Sequence, residues 1–160
     1  MNEYNIQFVS SSMDLIDMEV EIVNSNKEYN VLAKDKPVLS KEEVLQEIDE
    51  AYEVGAERFV IKEDNSFIGI SEILMLNPKD GYPWIGLLMI KKDLHHKGYG
   101  TDVVREILAM LKAREVSAVR LGVLIDNEQG HRFWTKQGFH AIAKKISNEH
   151  KEVIVYEKEI

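Results

Sequence analysis

The segment HHKGYGT (residues 95–101) lies between the apolar run WIGLLMI (84–90) and the stretch DVVREILAMLK (102–112). The run before it reads as a strand, and its near-continuous apolar character suggests burial on both faces. After it, Val103, Val104, Ile107, Leu108 and Leu111 repeat at helical spacing. The chain therefore passes from a buried strand through two glycines directly into an amphipathic helix. Such a turn gathers main-chain N–H groups at a helix N-terminus, where donors and helix dipole together favour a phosphate. Gly98 and Gly100 lack a Cβ, which allows an anion to approach the backbone closely. Lys97 adds positive charge, and His95 and His96 add more only when protonated. Two familiar phosphate motifs do not fit. Gly100 is followed by Thr101 and Asp102 rather than lysine, and Val103 stands where a dinucleotide fingerprint needs its third glycine. A turn that uses glycine for conformation alone is the alternative.

The remaining elements follow from periodicity and punctuation. Tyr4 to Val9 alternates as a first strand, and Ser12 is placed to cap a helix over 13–24. Residues 25–39 show no clean period and read as a loop. Ser40 and Glu43 form the S-x-x-E pattern of a capping box, opening a helix from Lys41 to about Val54 before Gly55. Residues 58–62, 67–76 and 84–90 read as a three-stranded meander. Residues 118–125 form another buried strand, 127–137 a short helix stopped by Gly138, and the last two strands a hairpin around SNEHK. The expected fold is a single α/β (α+β) domain over residues 1–160. It has a mixed, mostly antiparallel central sheet with helices on both faces.

Charge and cysteine content narrow the chemistry. Residues 1–80 hold 18 acidic and 7 basic side chains, a balance of −11; residues 81–160 hold 10 and 13, a balance of +3. This pattern suits an anionic ligand on the second half and a cationic one on the first, or simply two differently charged solvated surfaces. No strong basic stripe points to nucleic acid. No apolar run reaches the roughly 18 residues of a membrane span, and the N-terminus has no signal-peptide pattern, so a cytoplasmic location is expected. Cysteine is absent, which excludes disulfides, thiolate metal sites and a cysteine-linked acyl-enzyme. His95 and His96 are adjacent and would point to opposite faces on extended chain, so no metal site is expected.

Ile90-x-x-x-x-His95-x-x-Gly98-x-Gly100, after a strand and before an amphipathic helix, resembles the acetyl-CoA motif Q/R-x-x-G-x-G/A of the GCN5-related N-acetyltransferase superfamily. The stretch from Asn127 through Phe133, Trp134 and Lys136 to Gly138 and Phe139 resembles that family's second signature. The resemblance covers nearly the whole chain and is strongest over residues 82–139. It implies the acyl-CoA N-acyltransferase fold, with acetyl-CoA as cosubstrate and a small-molecule or peptide amine as acceptor. Its members are often dimers, so a homodimer is compatible with it. It implies that the pyrophosphate sits on backbone amides of His95, His96, Lys97, Gly98, Tyr99, Gly100 and Thr101. The pantetheine arm would pair with the strand ending at Leu88, Met89 and Ile90, and a backbone N–H near Leu88 or Met89 would polarise the thioester carbonyl. Asn127, Phe133, Trp134 and Lys136 would lie along the cofactor's other side.

Three positions depart from the family pattern. His95 replaces an arginine or glutamine. Trp84 stands where many members place a glutamate base, and Trp134 where many place a tyrosine acid; an indole N–H donates but is not a usable acid. An alkyl amine of pKa near ~10.4 is about one part in 10³ neutral at pH 7, so a missing base costs roughly 4 kcal/mol unless the site compensates. Direct transfer by proximity offsets part of this. Glu72, in an apolar strand beside 84–90, is the replacement base suggested by the sequence, although an outward-facing strand glutamate is the plainer reading. Tyr29 and Tyr82 are weaker candidates for the acid, being on expected loops. A CoA-binding sensor module that has lost catalysis is the alternative to an enzyme. The acidic first half suggests a cationic acceptor, with Glu42, Glu43 and Glu47 as the carboxylates to neutralise in a test.

Overall fold

The structure, a computed structural model, describes residues 4–160. Seven strands form one sheet in the order β1-β2-β3-β4-β5-β7-β6. They are β1 (Ile6–Ser10), β2 (Glu57–Glu63), β3 (Ser66–Leu74), β4 (Trp84–Ile90), β5 (Ala118–Leu124), β6 (His140–Ile146) and β7 (Glu152–Glu159). Every neighbouring pair is antiparallel except β4 and β5. The helices are α1 (Ile16–Ser25), α2 (Lys27–Lys34), α3 (Lys41–Glu53), α4 (Tyr99–Ala113) and α5 (Glu128–Lys136). This is the mixed, mostly antiparallel sheet with helices on both faces that the element order predicts. Among the described residues, no helix is long and apolar enough to cross a membrane.

Two apolar clusters explain the layering. On one face, Val103, Ile107 and Leu111 of α4 bury against Ile61, Ile73, Ile85, Val119 and Leu121. On the other, Ile22 and Val23 of α1 and Val44 and Ile48 of α3 pack on Val60, Ile70 and Met89. Consecutive Val60 and Ile61 thus serve opposite cores, as the two-residue repeat of a strand demands.

The Ser40–Glu43 capping box forms as expected, with the Glu43 N–H donating to Ser40 Oγ at 3.2 Å and the Ser40 N–H to Glu43 Oε1 at 2.9 Å. Two readings need correction. Ser12 makes no side-chain cap; a 3-10 turn over Met13–Leu15 comes first, and α1 begins at Ile16. The expected loop 25–39 contains α2. That helix carries no apolar stripe, because its buried positions are Asn30 and Ala33 while Val31 is exposed. Asn30 satisfies its burial by donating to the carbonyls of Val23 at 2.9 Å and Pro37 at 3.0 Å. A helix anchored by a buried amide has no periodicity to detect.

Candidate functional site

β4 and β5 share a single bridge, Trp84 with Arg120, where the Arg120 N–H also donates to Pro83 O at 3.0 Å. Beyond it the strands part. The opening is lined by Ile85, Gly86 and Leu88 of β4, Leu121 and Val123 of β5, Tyr29 of α2, and Asn127 and Trp134 from the α5 region. This opening is why Leu87 and Leu88 are only half-buried in a strand whose sequence suggests burial throughout.

The direction of the β4 main chain follows from its neighbours. The Lys91 N–H donates to Ile68 O of the β3 side at 2.8 Å. The Met89 carbonyl lies against Gly69, close enough that a Cβ there would sit 2.5 Å from it. Alternation then turns the N–H and C=O of Leu88 and Ile90 away from β3, toward the opening. Between the two amide positions raised from the sequence, Leu88 faces the opening and Met89 faces β3. The Ile90 carbonyl is already used: Asn26 Nδ2 donates to it at 3.1 Å and His95 Nε2 at 2.7 Å.

Past Ile90, the chain makes a 3-10 turn over Lys92–Leu94 and a tight loop into α4. The His95 N–H is taken by Lys92 O at 3.2 Å. Among the described residues, the main-chain N–H groups of His96, Lys97, Gly98, Tyr99, Gly100 and Thr101 meet no acceptor, and the first α4 N–H to do so is that of Asp102, bonded to Gly98 O at 3.2 Å. His96 and Gly98 both have positive φ, +63° and +88°. A run of free amides with such kinks, ending at a helix N-terminus, is the backbone arrangement that suits an anion.

The two glycines have different reasons. Gly98 is needed for its left-handed φ, and a Cβ there would face Tyr4 at 3.9 Å. Gly100 is needed for close packing, since a Cβ would meet the Phe133 ring at 3.0 and 3.2 Å. Both missing Cβ atoms point at protein, so glycine here shapes the loop rather than merely clearing room for a ligand. The His95 side chain is half-buried and engaged within the protein. Its Nε2–H is fixed by the Ile90 carbonyl, leaving Nδ1 to accept from Gln129 at 3.4 Å. Burial pushes this imidazole below its ordinary value, with the Ile90 bond opposing, so His95 is neutral at pH 7. Asp102 turns away from the loop and accepts from the Tyr4 N–H at 2.7 Å.

On the α5 side, Asn127 Oδ1 caps the helix by accepting from the Gly130 N–H at 3.0 Å. Phe133 packs on Gly100, and Trp134 stands edge-on between Phe133 and Phe139 at 5.0 and 5.2 Å. Lys136 is exposed and forms no ion pair among the described residues. Thr101 Oγ1 accepts from Gln137 at 3.0 Å, tying the α4 start to the α5 end. Trp84 is structural: its Nε1 donates to Asp80 at 2.8 Å at the β4–β5 junction. Tyr82 stacks under the Arg120 guanidinium at 3.6 Å, outside the lining of the opening.

Glu72 is not an outward-facing strand glutamate. It pairs with Leu87 across β3–β4, where a register shift leaves Gly86 as an extra residue on β4. Its Oε1 lies 3.8 Å from where a Gly86 Cβ would be. Its Oε2 accepts from Arg58 Nη1, and Arg58 Nε in turn donates to Glu19 Oε1 at 2.8 Å. Glu19 is also held by the Ser11 hydroxyl. Arg58 and Glu19 are fully buried, while the Glu72 side chain keeps 18% exposure. Burial pushes the Glu72 carboxyl above its ordinary value, and Arg58 pulls it part of the way back. Tyr29 lines the β4–β5 opening from α2, whereas Glu72 lies behind Gly86 and is not among its lining. Burial raises its phenol, Lys34 opposes, and the carboxylates of Glu47, Glu149 and Glu72 raise it further. The phenol therefore keeps its proton at neutral pH. Nothing in the sequence shows Arg58 or Asn26 as part of this site, because both act through contacts distant along the chain.

A family model described as the acetyltransferase (GNAT) family matches residues 24–139. An uncharacterized protein of Bacillus subtilis (strain 168), YkzC, is 24% identical over 132 residues, which is 79% of this chain and 92% of that protein. An acetyltransferase from Thermus thermophilus superposes with a TM-score of 0.81 at 16% identity, covering 100% of both chains. A spermidine N-acetyltransferase from Vibrio cholerae, solved in complex with CoA and spermine, superposes with a TM-score of 0.72 at 13% identity, covering 96% of this chain and 95% of its own.

Proposed function

The chain belongs to the acetyltransferase (GNAT) family, and from that premise we propose that it moves an acetyl group from acetyl-CoA directly to a primary amine. The carrying observation is the row of free amides from His96 to Thr101 at the end of the strand that parts from β5. Six donors at a helix N-terminus suit the pyrophosphate of CoA. The Leu88 main chain and the Ile90 N–H offer an added-strand edge to a pantetheine arm, as β-augmentation does for peptides. Asn127 and Trp134 close the opposite wall. Acetyl-CoA supplies the activated acyl group. The Leu88 N–H polarises the thioester carbonyl from the opening side of β4.

Glu72 is the base in this reading. One oxygen is fixed by Arg58, and the other faces the Gly86 bulge, where it receives the acceptor's proton. Tyr29 supplies a hydrogen-bond donor from the α2 side of the opening. Its un-ionised phenol gives a hydrogen bond to the charge developing on the leaving sulfur, without surrendering the proton. The acceptor is cationic: the carboxylates of Glu47, Glu149 and Glu72 all act on the Tyr29 phenol, with Lys34 as the opposing cation. The Vibrio cholerae protein named for spermidine N-acetylation is a precedent for such an acceptor on this fold.

The test is calorimetric titration with acetyl-CoA and CoA, then an amine panel read by thiol release. Micromolar CoA binding with amine-dependent release supports the proposal. Absence of CoA binding refutes it, and CoA binding without turnover of any amine shifts the reading to a sensor of acetyl-CoA.

A further inference from the structure

Behind the free amides lies Tyr4, from a part of the chain that the cofactor signatures do not include. Its hydroxyl donates to Lys97 O at 2.8 Å, across a separation of 93 residues. Its ring stacks on Tyr99 with centroids 3.9 Å apart and planes 20° apart. Its main-chain N–H donates to Asp102 Oδ2 at 2.7 Å, and Arg105 Nη1 sits 3.1 Å from Oδ1 of the same carboxylate. Tyr4 thus touches the loop at three successive levels: the peptide before Gly98, the first residue of α4, and the buried acid of its first turn.

Each contact has an electrostatic consequence. The Lys97 carbonyl and the Gly98 N–H belong to one trans peptide, so they point in opposite directions. Holding that carbonyl against Tyr4 aims the Gly98 N–H at the far side of the loop. The stack fixes Tyr99, whose N–H is the next free donor. The third contact restrains the one anion that would oppose a phosphate here. Asp102 lies in the first turn of α4 and is 3% exposed. Its carboxylate is directed to Tyr4 and Arg105 instead of the loop's free amides.

The geometry points to Tyr4 as a positioning residue for CoA, which sets the pyrophosphate-binding amides from behind without touching the ligand. This rests on the acetyl-CoA reading above. Loops of free amides bind anions well only when they need not be ordered on binding, so a clamp on the back of the loop raises affinity through preorganisation.

The experiment compares wild type, Tyr4→Phe and Tyr4→Leu. Affinity for CoA is measured by calorimetry, and affinity for pantetheine, which lacks the pyrophosphate, by NMR titration. The phenylalanine variant retains the stack and the main-chain bond and loses only the grip on Lys97 O. Its Kd for CoA is expected to rise about 3- to 10-fold, the range for one lost hydrogen bond. Tyr4→Leu, which also loses the stack, is expected to weaken CoA further, and pantetheine binding should not change in either. Unchanged CoA affinity in both variants overturns the inference, as does an equal loss for CoA and pantetheine, which would mean a general effect on the fold. If wild type fails to bind CoA at all, the acetyl-CoA reading falls and takes this inference with it, an outcome separate from either of the others.

Discussion

Replacing Arg58 with methionine tests the ion triad beneath the candidate base. Arg58 and Glu19 have fully buried side chains, and Glu72 is 18% exposed. Methionine fills most of the space but leaves two carboxylates without their shared cation. Breaking a buried pair in this way costs about 3–5 kcal/mol. For a domain of 150–250 residues each kcal/mol lowers Tm by about 2–4 °C, so the loss is roughly 6–20 °C. The pH dependence has a definite sign. Without Arg58, the folded-state pKa of Glu72, already raised by burial, rises further above the unfolded value near ~4.3. A carboxyl raised on folding contributes its stability below the unfolded pKa and loses it as pH climbs through the folded one. The deficit of the variant relative to wild type should therefore widen between pH 5 and pH 8. Thermal melts followed by circular dichroism at several pH values provide the measurement. A partial recovery in the Glu19→Gln, Arg58→Met double variant would show that the orphaned charge is the cause. A deficit of a degree or two, or one that narrows as pH rises, would refute the reasoning.

Glu72→Gln should lower kcat about 10²-fold or more at neutral pH while leaving the Kd for CoA unchanged, and in wild type the acid limb of kcat should fall above the ordinary carboxylate range, because burial raises Glu72; initial rates across pH check both. Gly98→Ala places a Cβ at φ +88° with no atom nearer than Tyr4 at 3.9 Å, so melts should show a loss of about 1 kcal/mol from the left-handed backbone alone. Glu47→Gln should raise the acceptor KM with kcat little changed, as measured by steady-state kinetics with whichever amine the panel identifies. Glu43 is a poorer probe than the sequence suggests, because it closes the α3 capping box and pairs with Lys36 and so titrates down to about 2.

The unit β4–loop–α4 was legible because its signals are local. An apolar run, two glycines and a 3.6-residue period lie within 30 residues of one another, and each has one structural meaning. The capping box was legible for the same reason. The point at which β4 parts from β5 was not, since no residue pattern in either strand says where hydrogen bonding stops. Glu72 shows an intermediate case. Its pairing with Arg58 follows once the β2–β3 hairpin register is known, but the bulge between Ile61 and Lys62 shifts that register from a simple count. Tyr29 reads as a loop residue for a different reason: the helix that carries it to the opening, α2, is held by the buried Asn30 amide and leaves no apolar period in the sequence.

The charge asymmetry along the sequence also means something narrower than its size suggests. The first 80 residues carry a balance of −11, yet many of those carboxylates are occupied within the fold. Glu21 pairs with Lys91 at 2.8 Å, Glu57 with Arg114 at 2.7 Å, and Glu43 with Lys36. Glu19 is sealed against Arg58. What acts on Tyr29 at the opening is a smaller set: Glu72, Glu47 and Glu149, with Lys34 within 3.3 Å of Glu47 and 2.7 Å of Glu149. Glu149 comes from the acidic minority of the second half, so the field at the opening is assembled across the two halves of the sequence and not inherited from the first. Lys34 then occupies the position a cationic acceptor would take between two carboxylates. On the proposal of a cationic acceptor, its ammonium would either displace Lys34 or bind beside it at Glu72, and the oxygen of Glu72 nearest the bulge at Gly86 is the one that Arg58 leaves free.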